Sequence, residues 1–400
     1  MTTVIATNDF HSEVAAAGAL LARLRAGKNE NAILIDAGDF FGGNAFHEFS
    51  TGETEERLLA ELYDALVPGN HDLEDLARLR DPAAFPPVVC ANLLPPDGFA
   101  GAWHAGLLFR RTRPKLGVVG WLGEQAFEAA SPGERRGYRF RRPTPELLRA
   151  ERDRLLDAGA DLVLGVSHTG FEADADFQRT HGVFDLILSG HCHSDNYHRV
   201  DQAGPAATRH VVKAPELGRG AARIELDGDG GITVEIERFP SGPGASGAPG
   251  HPFGWLVAAI DRFRSWSQTA VGSFADPTDS RETIAERIAE AASAAAGNRA
   301  FALNLGAIRT GLPARVTRGA LLDCAPFDSP LVVCRTDEPV PGLLRQLEAL
   351  GEAMVCARPP SATPGLATTG YVAARLGLAA DPLGPSHTIR HTISAMCEAD

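Results

Sequence analysis

Short apolar runs in the first half of this chain repeatedly end in a polar cluster of Asp, Asn or His. Thr3 to Ala6 runs into Asn8-Asp9, Ala32 to Ile35 into Asp36-Ala37-Gly38-Asp39, Leu162 to Val166 into Ser167-His168, and Phe184 to Leu188 into Gly190-His191. Between them lie stretches with helical periodicity, Val14 to Arg25, Glu55 to Leu66 and Thr144 to Ala158. Val88 to Ala91 and Leu116 to Trp121 add two more strand patterns. Apolar runs alternating with amphipathic helices predict an α/β domain with buried strands. In such folds the loops leaving the carboxyl ends of the strands converge on a site.

Farther along, His210 to Val212, Ala222 to Leu226 and Ile232 to Glu237 read as hairpin-like strands, the last two joined by the turn Asp227-Gly228-Asp229-Gly230-Gly231. Pro240 to Pro252 is rich in Pro, Gly, Ser and Ala and reads as a linker. Helices are expected over Gly254 to Ser267 and over Ser280 to Ala296, the second with Ser280 or Asp279 as N-cap. Phe301 to Asn304 and Leu331 to Arg335 read as strands and Val340 to Leu350 as a helix. With 400 residues, two domains are the natural expectation. The boundaries are a first domain over 1–240, a linker and connecting helix over 241–270, and a second domain over 271–400.

Composition narrows the partners. The formal net charge is −13, the wrong sign for a nucleic-acid backbone binder. It does not exclude a small anion, whose charge metal ions or a few arginines can meet. The start MTTVIATNDFHSE has neither a basic leader nor a long apolar stretch, and no later run reaches the roughly 18 apolar residues of a membrane span. A cytoplasmic protein without membrane contact is expected. The six cysteines, Cys90, Cys192, Cys324, Cys334, Cys356 and Cys397, lack CxxC spacing and read as free thiols.

Five segments carry the chemistry: Asp9-Phe10-His11, Gly38-Asp39, Gly69-Asn70-His71-Asp72, Ser167-His168 and Gly190-His191-Cys192-His193. Alone, each is weak, since a lone D-x-H is mostly noise and a GNHD turn is an ordinary loop signal. Together they supply carboxylate, amide and imidazole donors that suit Zn, Mn or Fe, with Mg or Co also compatible. Asp9-x-His11 and His191-x-His193 would put alternate side chains on one side of an extended segment. Gly38, Gly69 and Gly190 would let the backbone turn sharply beside the ions. One carboxylate such as Asp39 can bridge two metals, and two metals roughly 3.5–4 Å apart can generate a hydroxide and clamp a phosphoryl group.

These segments, TNDFH, DAGDF, GNHD, SHTG and GHCH, resemble the calcineurin-like metallophosphoesterases, and within them the 5'-nucleotidase branch. The resemblance implies a four-layer αββα sandwich followed by a smaller α/β C-terminal domain of the 5'-nucleotidase type. It implies two divalent metal ions, one held by Asp9, His11, Asp39 and His193, the other by Asp39, Asn70, His168 and His191. It implies that His71 faces the phosphate, oriented by an acidic partner. Glu74 stands at the usual aspartate position and Asp72 competes for the role.

In the second domain, Asn304-Leu305-Gly306-Ala307-Ile308-Arg309 resembles the NGGGIR segment of the branch, and Gly319 to Val332 its loop with a Pro-Phe pair. By that likeness Asn304 and Arg309 would contact the substrate and Phe327 would stack on a base. The second clamp aromatic has no counterpart here, and Tyr371 is a weak substitute. The likeness also implies that the second domain rotates against the first. His47 is a further candidate to approach the phosphate, whereas His104, His181, His198 and His210 read as surface or structural. The acidic run Glu53 to Glu56 reads as a solvated helix start.

The expectation is therefore a metal-dependent phosphomonoesterase that removes the 5'-phosphate of a nucleoside monophosphate or nucleotide-like metabolite through a metal-activated hydroxide. The rivals are hydrolysis of another ester at the same centre (a cyclic phosphodiester, a nucleotide-sugar pyrophosphate or a sulfur ester) and a non-catalytic nucleotide-binding protein.

Overall fold

The computed structural model describes residues 1–202, 208–240, 252–349, 353–358 and 363–398. Residues 241–251, most of the expected linker, lie outside them. The chain forms two compact units, Met1–Gly42 with Phe46–Ile260 and Gly43–Ala45 with Asp261–Asp400.

The larger unit holds two sheets. Seven strands lie in the order Ile232–Arg238, Gly220–Leu226, Thr2–Thr7, Ile33–Asp36, Ala65–Leu66, Val88–Val89, Trp103–His104. Six more lie in the order His198–Gln202, Thr208–Val212, Leu186–Ser189, Leu162–His168, Leu116–Leu122, Gly106–Phe109. The centre of each sheet is parallel, as the near-continuous apolar runs require; antiparallel strands close both edges of the six-stranded sheet and one edge of the seven-stranded sheet, whose other edge, Trp103–His104, stays parallel. Strand residues alternate in direction, so one face of each sheet meets the other. Val4, Ala6, Ile33 and Ile35 from the first sheet pack with Val118, Leu164, Val166 and Leu188 from the second. Val119, Trp121, Ile187 and Val211 point the other way, toward Leu148 and Leu155 of the helix Pro145–Asp157 and Phe171 and Ala175 of the helix Phe171–His181. The layers are those of the αββα sandwich.

Two sequence expectations are corrected here. Glu55 to Leu66 is not one helix. The helix Glu53–Leu62 stops at Tyr63, and Ala65–Leu66 pairs with Ile35 and Asp36 as a strand. Sheet pairing overrides the helical periodicity across this boundary. The acidic run at the start of that helix is solvated only at Glu53. Glu55 and Glu56 are buried, Glu55 accepting from Ser50 Oγ at 2.6 Å and Glu56 from the backbone amides of Arg80 and Asp81.

The smaller unit has a five-stranded sheet in the order Met354–Ala357, Arg299–Asn304, Thr363–Thr369, Leu331–Cys334, Ala380–Pro382. Phe301, Leu303, Leu331 and Ala367 pack on Ile284, Ile288 and Ala292 of the helix Arg281–Ala295. Ala302, Val332 and Leu366 pack on Leu343 and Ala373. Ser280 caps the helix Arg281–Ala295, its side chain accepting from Thr283 N. All six cysteines are free. No helix among the described residues is long and apolar enough to cross a membrane.

Candidate metal centre

Each polar segment leaves the carboxyl end of a strand or of the loop beside it, and cross-loop hydrogen bonds draw the segments together. The backbone amides of Asp9, His11 and Ser12 donate to the carbonyls of Gly38, Asp39 and Phe40 at 2.8, 2.9 and 3.0 Å. Those amides face that ladder because Asp9, His11, Ser12 and Asp39 hold left-handed backbone angles, with φ between 49° and 57°. His191 does the same at φ 81°. Non-glycine residues adopt this region at a cost and keep it only when neighbours over-determine it. The extended alternation expected for Asp9-x-His11 and His191-x-His193 is thus corrected. Left-handed turns, not pleated strands, bring Asp9 and His11 into one group of donors and send His191 and His193 to two different groups.

The glycines also act differently from expectation. Of Gly38, Gly69 and Gly190, only Gly38 has positive φ, at 97°. A Cβ at Gly69 would overlap Asp39, and one at Gly190 would overlap the Ala37 carbonyl and approach His168 Nδ1 at 2.9 Å. At Gly69 and Gly190 the demand is for close approach of one loop to another rather than for a sharp turn.

Among the described residues, three groups of donor atoms converge: Asp9, His11 and His193; His11, Asp39 and His71; and Asp39, His168 and His191. Within each group the nearest ligand atoms lie within 4.8 Å of one another. Asp39 Oδ2 stands 3.9 Å from His11 Nε2 and 3.2 Å from His168 Nε2, between the first and third groups. His193 Nε2 lies 3.8 Å from Asp9 Oδ1. Asn70 Oδ1 is buried without a hydrogen-bond partner among the described residues, a costly state for a polar atom and the condition expected of a cation ligand, and the buried His168 Nε2 faces the Asp39 carboxylate. The oxygen and imidazole donors suit a divalent cation.

Burial works against ionisation of Asp39, but His168, His71 and His11 around it hold its carboxyl well below the usual range. Burial pushes the Asp9 carboxyl up. His168 is lowered by burial, yet the carboxylates of Asp39 and Asp9 raise it to about 10. Its Nδ1 bonds the Ala37 carbonyl at 2.8 Å, which orients the ring and turns Nε2 toward Asp39. Burial and the charge of His168 lower His191 to about 4, leaving its imidazole neutral.

His71 is half-buried. Its amide donates to Asp39 Oδ1 at 2.9 Å, and its ring stands edge-on to His11 with centroids 5.1 Å apart. Asp72 is buried and accepts three backbone amides, from Asp39 at 2.8 Å, Gly69 at 2.7 Å and Phe41 at 3.0 Å. Glu74 pairs with Arg78 at 2.6 Å on a solvent-facing turn. His47 pairs with Asp75 at 3.0 Å.

In the smaller unit, Asn304 is buried at the end of its strand. Arg309 is exposed, its amide donates to the Cys324 carbonyl, and its guanidinium lies over the Phe327 ring, 5.6 Å from the centroid. Tyr371 is half-buried in the helix Gly370–Arg375, which Thr369 caps.

Sequence reasoning missed the supports. Asn8 donates to Asp9 Oδ2 at 2.7 Å and accepts from the amide of Ala214 at 2.7 Å. Asp36 accepts from Thr7 Oγ1 at 2.6 Å and from Gly38 N at 2.9 Å. Both lie inside the quoted segments, so their position was a signal. Lys213, buried and bonded to the loop of His191 and His193, gave none.

Residues 2–195 match the family described as calcineurin-like phosphoesterase. A snake venom 5'-nucleotidase from Crotalus adamanteus is 28% identical over 199 residues, 47% of this chain and 33% of that protein. A probable 5'-nucleotidase from Treponema pallidum is 26% identical over 289 residues, covering 59% of this chain and 47% of that protein. The chain thus spans a third to a half of the length of these relatives. Among solved structures, a 5'-nucleotidase precursor from Thermus thermophilus superposes with a TM-score of 0.79 at 20% identity, over 99% of this chain and 96% of that one.

Proposed function

We propose that the chain, whose residues 2–195 match the calcineurin-like phosphoesterase family, is a metal-dependent phosphomonoesterase acting on the 5'-phosphate of a nucleoside monophosphate or a nucleotide-like metabolite. The observation that carries this reading is the place of Asp39, whose carboxylate lies between His11 and His168, each in a separate group of potential ligands. On this reading Asp9, His11, Asp39 and His193 would hold one divalent cation, and Asp39, Asn70, His168 and His191 the other. When bound, such a pair supplies an activated water and neutralises charge on the phosphoryl oxygens.

The chain's own groups do the rest. His168, fixed through Nδ1, presents Nε2. His71, held through its amide to the same Asp39 carboxylate, would donate a proton to the departing alkoxide. In the smaller unit the reading gives nucleoside recognition to Asn304, Arg309, Phe327 and Tyr371. An aromatic face suits a base and a guanidinium suits an anion or a sugar hydroxyl.

The test is phosphate release from nucleoside 5'-monophosphates, sugar phosphates and a phosphodiester, after chelation and reloading with Mn, Zn, Mg or Co. Nucleoside monophosphates should turn over fastest, and the chelated protein should be inert. Equal activity with and without chelator would defeat the metal reading. Preference for the diester would replace the monoesterase.

A further inference from the structure

Lys213 follows the strand Thr208–Val212, and its side chain is fully buried. A buried ammonium is costly unless all its hydrogens are bonded. Here they are. Nζ donates to the carbonyls of Cys192 at 2.9 Å and Ser194 at 2.6 Å, and pairs with Glu216 at 3.0 Å. Those two carbonyls flank His193 on either side. The same stretch of chain also holds the opposite ligand. The amide of Ala214 donates to Asn8 Oδ1, Asn8 donates to Asp9 Oδ2, and the amide of Leu217 donates to the Asp9 carbonyl at 2.8 Å. Residues 213–217 therefore tie the His193 loop and the Asp9 loop to one another, although those ligands are 184 positions apart in sequence.

We propose that Lys213 is a positioning residue that fixes His193 against Asp9 and thereby sets the cation affinity of the Asp9–His11–His193 group. This rests on the metal reading above. A side chain that served only to fill the space would be apolar. The loop carrying His193 has no regular structure, and donors aimed at two of its carbonyls restrain its path on both sides of the ligand. The partner Glu216 keeps the ammonium balanced without drawing it from the carbonyls.

The experiment is Co(II) calorimetry on the chelated chain, with visible absorption of the bound Co(II) and thermal unfolding beside it. Lys213→Met paired with Glu216→Gln removes both buried charges, so neither is stranded. This variant should unfold near the parent, keep one equivalent of Co(II) at parental affinity and bind the second about 10- to 100-fold more weakly, the usual cost of removing a group that orients a metal ligand. In a His193→Ala background the same pair of substitutions should cost nothing further, because two changes acting through one ligand do not add. Lys213→Gln, whose amide hydrogens can serve the two carbonyls, should recover part of the loss.

Two parental equivalents in the double variant, equal weakening of both, or additive losses with His193→Ala would each overturn the proposal. So would a Lys213→Gln variant that folds but binds no better than Lys213→Met, and this comparison stands if the double variant does not fold. A parent chain that binds no Co(II) would instead remove the metal reading and this inference with it.

Discussion

Asp72 Oδ2 accepts the backbone amide of Asp39 at 2.8 Å, and the same oxygen accepts the amide of Gly69 at 2.7 Å. One carboxylate thus fastens the loop of Asp39 to the loop of Asn70 and His71. Replacing Asp72 by Asn puts an amide donor among N–H groups that need acceptors. We expect Asp72→Asn to lose about 1–3 kcal/mol of stability without metal, by urea unfolding in chelator. Cation affinity should fall with it. An unchanged unfolding midpoint would show that the clamp is dispensable.

Asp39→Asn keeps the shape of the side chain but removes the charge set between His11 and His168. Phosphate release should fall roughly a hundredfold or more, along with loss of at least one bound cation by elemental analysis. Full activity with two metals retained would exclude Asp39 as the bridge.

Gly69→Ala tests close approach. The added methyl would collide with Asp39 rather than strain the backbone, since φ at Gly69 is not positive. The variant should lose metal and melt lower. Gly98→Ala, where a Cβ meets open space, should keep its metal, at most paying a strain cost for its φ of 87°. Equal metal content in both proteins would refute the packing argument.

His47 gives a pH dependence away from the ligands. Burial lowers its pKa, but the hydrogen bond and charge of Asp75 raise it to about 9. A histidine raised in the folded state contributes stability that is complete below its unfolded value near 6.5 and disappears as pH climbs through 9. Stability of the metal-free chain should therefore fall by about 1–3 kcal/mol over that window. His47→Gln should flatten this part of the profile. A parallel slope in the variant would assign the dependence to other groups.

Phe327→Ala addresses recognition of the base. KM for nucleoside monophosphates should rise about tenfold, the loss of one stacking contact. Activity on p-nitrophenyl phosphate, which has no base, should stay level. An equal loss on both substrates would make Phe327 a structural residue.

The ligand-type residues were legible because the chemistry demands carboxylate, amide and imidazole at strand ends, and each sits in a short segment with its own signature. The core strands were legible for the same local reason, as apolar runs of the right length. The short strands Ala65–Leu66 and Ala380–Pro382 were not, because two or three residues carry no periodicity and pairing alone makes them strands. Glu55 looked solvated because the helix pattern around it is polar, and only the packed structure buries it.

From the sequence alone came the fold class and the residue types brought to the site, since both depend on local pattern and donor chemistry. Tertiary structure decided how those donors meet: left-handed turns at Asp9, His11 and His191, loop-to-loop contact at Gly69 and Gly190, and the buried supports Asp72 and Lys213. The physical reason is distance along the chain. A hydrogen bond from Lys213 to the carbonyl of Ser194, or from the amide of Asp39 to Asp72, has no periodic trace in sequence and exists only once the sheets have packed.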